Sequence, residues 1–77
     1  ISMGTLKLSG EVKLLLPESC KLEDAKVETT RENNMIKSKI TYPNGLIIES
    51  VQTADSIDMK VNKDLVYNSD GTVSIVL

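Results

Sequence analysis

The sequence predicts an all-β domain, a compact antiparallel β-sandwich or curled meander of six to seven short strands. Three observations predict it. Apolar residues recur with a period of two along most of the 77 residues, the repeat of a half-buried strand. Asn- and Gly-based turn signals separate the alternating runs. No segment carries a convincing helical apolar repeat.

Residues 1–4, Ile-Ser-Met-Gly, read as an extraneous leader or truncated linker. Residues 5–77 read as a single β-domain, a piece of a longer protein. In its first element Leu6, Leu8, Val12, Leu14 and Leu16 all occupy even positions, with Gly10 between the two groups. A two-residue hairpin at Ser9-Gly10 would set Leu8 opposite Glu11 and Leu6 opposite Lys13. One long strand, bent or bulged at Gly10, keeps all five apolar residues together and is the expected arrangement. Residues 17–24 break the alternation and read as a loop with room for one helical turn.

Ala25, Val27 and Thr29 then alternate with Lys26, Glu28 and Thr30. Asn33-Asn34 follows, and Asn accepts the positive φ of a type I′ turn. A two-residue loop there sets Val27 opposite Ile40 and Ala25 opposite Tyr42. Tyr42-Pro43-Asn44-Gly45-Leu46 is the strongest local signal, since Pro presets the first turn position and Gly takes the left-handed one. A three-residue loop pairs Tyr42 with Leu46, Ile40 with Ile48 and Ser38 with Ser50. The two turns together imply a Glu28–Lys39–Glu49 row on the solvent face. After Thr53 the apolar residues Ile57, Met59, Val61, Leu65 and Tyr67 are all odd, interrupted by Asn62-Lys63-Asp64. Ser69-Asp70-Gly71 repeats the three-residue turn and pairs Tyr67 with Val73 and Leu65 with Ile75.

Composition narrows the function. There are two Tyr and no Trp or Phe, so the core must come from Leu, Ile, Val and Met. The net charge is −2 with scattered Lys and Arg, which does not suit nucleic acid. No apolar run nears the ~20 residues of a membrane span. The single cysteine, Cys20, forms no internal disulfide and points to a reducing, cytoplasmic compartment.

The chain has no histidine, which removes the commonest general base and metal ligand. Cys20 therefore has no histidine to activate it and reads as a small apolar residue or a surface thiol. Carboxylates gather at Glu18, Glu23 and Asp24 and again at Asp55 and Asp58, without the alternating Asp spacing of a calcium loop. Inward-facing Thr29, Ser38 and Ser50 read as cross-strand hydrogen-bond partners. No catalytic, cofactor-binding or metal residue is expected, and the protein is not expected to be an enzyme.

The run Glu11-Val12-Lys13-Leu14-Leu15-Leu16-Pro17-Glu18, followed by Leu22-Glu23-Asp24-Ala25-Lys26-Val27-Glu28 and Asn33-Asn34-Met35-Ile36, resembles the opening of the HSP20-like superfamily, which includes CS domains and small heat-shock proteins. Asn68-Ser69-Asp70-Gly71-Thr72-Val73-Ser74-Ile75 resembles that superfamily's closing hairpin. The resemblance covers a little over half the chain and implies a β-sandwich with a chaperone-like role. The Trp that many CS domains carry is missing near Ser56-Ile57-Asp58, and the Ile-x-Ile tail of small heat-shock proteins is absent.

These readings converge on a non-catalytic protein–protein interaction module, co-chaperone-like in its first form. The alternative is a structural or assembly β-module of a larger scaffold, ciliary, virion or surface protein. The expected partner is another protein or the rest of its own chain, a homo-oligomer being one form. Neither nucleic acid, membrane nor cofactor is expected. Ile47, Val51, Glu49 and Lys39 are the candidate contacts. Ile47 and Val51 fall on the otherwise polar outer face, where either a partner or the chain beyond Asp55 would cover them.

Overall fold

The computed structural model describes residues 4–8 and 13–77, the first stretch by its backbone alone. The described residues form eight strands and one short 3-10 turn, Leu22–Asp24. The strands are β1 (Gly4–Leu8), β2 (Leu14–Leu15), β3 (Lys26–Glu32), β4 (Met35–Thr41), β5 (Ile47–Gln52), β6 (Ile57–Val61), β7 (Asp64–Tyr67) and β8 (Val73–Val76). The all-β prediction holds: seven strands have four or more residues, and β2 has two. Five strands make one sheet in the order β1-β6-β5-β4-β3, and three make a second in the order β2-β8-β7.

The registers follow the turns. Asn33 and Asn34 have φ of 46° and 54°, the doubly left-handed pair of a type I′ turn. They set Val27 opposite Ile40 and Glu28 opposite Lys39. The Pro43-Asn44-Gly45 loop closes with Tyr42 N–H donating to Leu46 O at 2.9 Å and Gly45 N–H to Tyr42 O at 3.0 Å. Asn44 Oδ1 accepts from Leu46 N–H at 3.0 Å, an Asx-type brace. Ile40 then faces Ile48, Lys39 faces Glu49, and Ser38 faces Ser50. The two serine hydroxyls meet at 2.5 Å. In the last hairpin Tyr67 faces Val73 and Leu65 faces Ile75. Its turn is braced by Asp70 Oδ1, which accepts from Thr72 Oγ1 at 2.6 Å and Thr72 N–H at 3.0 Å. These bonds favour the charged carboxylate and hold the Asp70 carboxyl below its usual range.

The first element departs from expectation. Residues 6–16 do not keep one strand in one sheet. Residues of β1 pair antiparallel with β6, Leu6 opposite Met59. Residues of β2 pair in parallel with β8 in the other sheet, Leu14 opposite Val73. An even-numbered apolar pattern fits either arrangement, because both sheets turn their apolar face to one core. Gly10, where the bend was expected, lies outside the described residues. Gly4, set aside with the leader, belongs to β1 and pairs with Val61.

The core lies between the sheets, at the end of the large sheet marked by the Pro43 turn. Tyr42, Leu46, Ile48, Val61 and Ile75 form its buried cluster. Leu14, Cys20, Ala25, Ile40 and Leu65 pack against them. The small sheet does not reach β3, whose seven residues are all exposed. Val27 points inward by register yet is 51% exposed.

Gly45 and Gly71 have φ of +92° and +87°, as their turns require. A Cβ built at either would meet no atom within 4 Å, so a side chain there costs backbone strain alone. Gly45→Val and Gly71→Val should each destabilise the domain by about 1–2 kcal/mol in chemical denaturation. An unchanged midpoint for both would contradict the turn assignments.

Candidate functional surfaces

The outer face of the large sheet carries the contact residues expected from sequence. Ile48 and Val61 point into the core, so Ile47, Glu49 and Val51 point the other way. Around them Thr41 faces Ile47, Lys37 faces Val51, and Lys39 faces Glu49. The charge row runs one strand further than the turns alone implied, because Lys60 of β6 faces Glu49. It alternates Glu28, Lys39, Glu49, Lys60 across four strands. A shallow depression of about 250 Å³ on this face is bordered by Glu28, Lys37, Lys39, Glu49 and Val51.

The chain beyond Asp55 does not fold over this face. Strand β6 lies beside β5, while Leu65 of β7 and Ile75 of β8 pack on the core side. Ile47 and Val51 are half-buried. Asn62 ties the edge of this region down. Its Oδ1 accepts from Ile47 N–H at 2.7 Å, its Nδ2 donates to Gly45 O at 2.9 Å, and its own N–H donates to Ile47 O at 3.2 Å. This clamp joins the Pro43 turn to the end of β6, and the polar Asn62-Lys63-Asp64 interruption was its only trace in the sequence.

A second surface escaped the sequence reading. On the small sheet Leu14, Leu65 and Ile75 face the core, which turns Leu15, Val66, Ser74 and Val76 outward. Leu15 and Val66 flank Ser74 in one row, with Val76 one step along β8. The three aliphatics are 42%, 47% and 46% exposed. Leu16 and Leu77 are also exposed. Leu14-Leu15-Leu16 reads in sequence as one apolar run, which hides that its middle residue points away from the core.

Cys20 sits at the rim of the core. Its sulfur accepts a hydrogen bond from Asn44 Nδ2 at 3.2 Å. Burial pushes the Tyr42 hydroxyl above its ordinary pKa, and the electrostatic influence of nearby Cys20 adds to this. Among the described residues no group of three or more His, Cys, Asp and Glu is gathered as for a metal ion, and no helix is long and apolar enough to cross a membrane. The closed ion pairs among the described residues are Lys37–Glu32 at 2.6 Å and Lys26–Glu28 at 3.7 Å. The Glu28–Lys39–Glu49–Lys60 row therefore sets charges opposite one another without closing a contact within itself. No family model, curated protein or solved structure matches the chain.

Two outcomes are expected. Because the folded state holds the Tyr42 proton more tightly than the unfolded chain, the Tyr42 contribution to stability should be level below about pH 10 and be lost as pH rises through the raised value. Denaturation titrated from about pH 8 to 12 checks this, and Tyr42→Phe should flatten the alkaline fall. On the outer face, Ile47→Lys and Val51→Lys should each cost less than about 1 kcal/mol, whereas Leu46→Ala at a fully buried site should cost about 2–5 kcal/mol. Unfolding by either Lys substitution would place that side chain in the domain's own core.

Proposed function

We propose that this domain is a non-catalytic protein-docking module. The observation that carries the reading is the outward row of Leu15 and Val66 beside Val76, three aliphatic side chains on the face of the small sheet turned away from the core. Aliphatic side chains gathered on one outer face are the ordinary mark of a surface that meets another protein. The half-buried Ile47 and Val51 beside the alternating charge row supply a second contact surface, one whose charges would set orientation more than affinity.

The co-chaperone-like form of this reading rests on the Leu16-Pro17 and Asp70-Gly71 segments. The alternative is a structural or assembly module that docks within a larger scaffold. Client binding separates them. The co-chaperone form expects the domain to slow aggregation of a thermally unfolding model client at near-stoichiometric ratio. A Leu15→Lys, Val66→Lys double variant should lose that protection while each substitution shifts stability by only about 0.5 kcal/mol. A wild-type domain inert toward several clients selects the assembly form. Full protection by the double variant removes the small sheet's face from the function.

A further inference from the structure

The open edge of the large sheet is complementary to itself. Strand β3 is terminal in its sheet, is fully exposed along its length and contains no proline. Its two-residue turn is closed by the Glu32–Met35 pair, so Glu32, Thr30, Glu28 and Lys26 direct their backbone groups at β4. Val27, Thr29 and Arg31 therefore aim their N–H and C=O groups at the open side. A bare edge of this length is a template for another strand.

Natural edges are guarded by charge, and β3 reads Lys-Val-Glu-Thr-Thr-Arg-Glu. The guard fails against one partner. Consider a second β3 running antiparallel with Thr29 opposite Thr29. Val27 then meets Arg31, Glu28 meets Thr30, and Lys26 meets Glu32, in both directions across the two-fold axis. All seven residues of the strand overlap. The three that aim outward form the hydrogen-bonded pairs, and the only two charged pairs are of opposite sign. A two-fold centred on Arg31 would set two guanidinium groups face to face. One centred on Val27 would overlap only Lys26, Val27 and Glu28. A centre on Glu28 would set two glutamates face to face, and one on Thr30 would set Glu28 opposite Glu32 on both sides of the axis.

We propose that the domain pairs with a second copy of itself through β3, joining two five-stranded sheets into one continuous sheet about Thr29. This surface is distinct from the docking face of the small sheet, so either can stand without the other. Main-chain bonds give such an edge pairing its affinity, and the small area makes it weak and reversible.

Charge reversal tests it by sedimentation equilibrium on the 77-residue chain. The wild type should dimerise measurably below about 1 mM. Lys26→Glu sets glutamates opposite Glu32, and Glu32→Lys sets lysines opposite Lys26. Each variant alone should associate at least about tenfold more weakly. Mixed in equal amounts the two variants are complementary at both positions, and their heterodimer should recover to within about threefold of wild type. That recovery also shows both variants folded. Leu15→Lys and Val66→Lys should dimerise like the parent. The proposal is overturned by a wild type that stays monomeric at about 1 mM, by single variants that associate as tightly as the parent, by a mixture no tighter than its components, or by a dimer that only the small-sheet substitutions abolish.

Discussion

Tyr42 and Leu46 stand at the two ends of a three-residue turn, and the burial of both is the constraint on which the two sheets depend. The turn fixes the β4–β5 register, and the same two side chains supply the large sheet's share of the core beside Ile48 and Val61. Ile75 of the small sheet belongs to the same buried cluster, and Leu65 and Leu14 pack against it. A chain with two aromatic residues places one of them here, where a single Tyr buries more area than any aliphatic neighbour. The cluster is small, so the same end of the molecule is reinforced by polar contacts. Asn62 bonds Ile47 and Gly45, and Asn44 bonds Leu46 and Cys20.

The hairpin registers were legible because turn chemistry is local. Asn33-Asn34, Pro43-Asn44-Gly45 and Ser69-Asp70-Gly71 each dictate backbone angles, and the angles dictate which residues meet. The split of residues 6–16 between two sheets was not legible. A parallel pair such as β2–β8 has no turn to announce it, and alternation says which side chains face the core without saying from which sheet. The outward Leu15 was missed because β2 is two residues long, too short to show a period; parity already set Val66 and Val76 away from Leu65 and Ile75, and the three come together only through the parallel β2–β8 pair. The contacts expected at Ile47 and Val51 were placed on the outer face by parity alone, and that placement holds. The exposure of Val27 depends on how far the small sheet extends, which no local pattern records.

Charge on the large sheet organises along the strand and diagonally more than straight across. The closed ion pairs link Lys26 to Glu28 on one strand and Glu32 to Lys37 on a diagonal. The directly opposed Glu28–Lys39–Glu49–Lys60 row stays open to water. At such exposure each pair contributes little to stability. What the row does supply is alternation of sign across four strands, and sliding β3 by two residues so that Lys26 took the place of Glu28 would set it against Lys39.

The parallel pairing of Leu14 with Val73 ties an early segment to the last strand. The meander from β3 to β6 needs only neighbouring hairpins and is free to form while synthesis continues. The small sheet cannot begin until β8 has left the ribosome, because β8 is its central strand. Until then Leu14 has no strand partner and the core face of Ile48 and Val61 has no cover. Closure of a loop of this span is the slow, entropically costly event in folding. The nascent chain therefore passes through a stage in which the meander can form while its apolar face awaits the small sheet, and strand β8 acts as the latch that ends it.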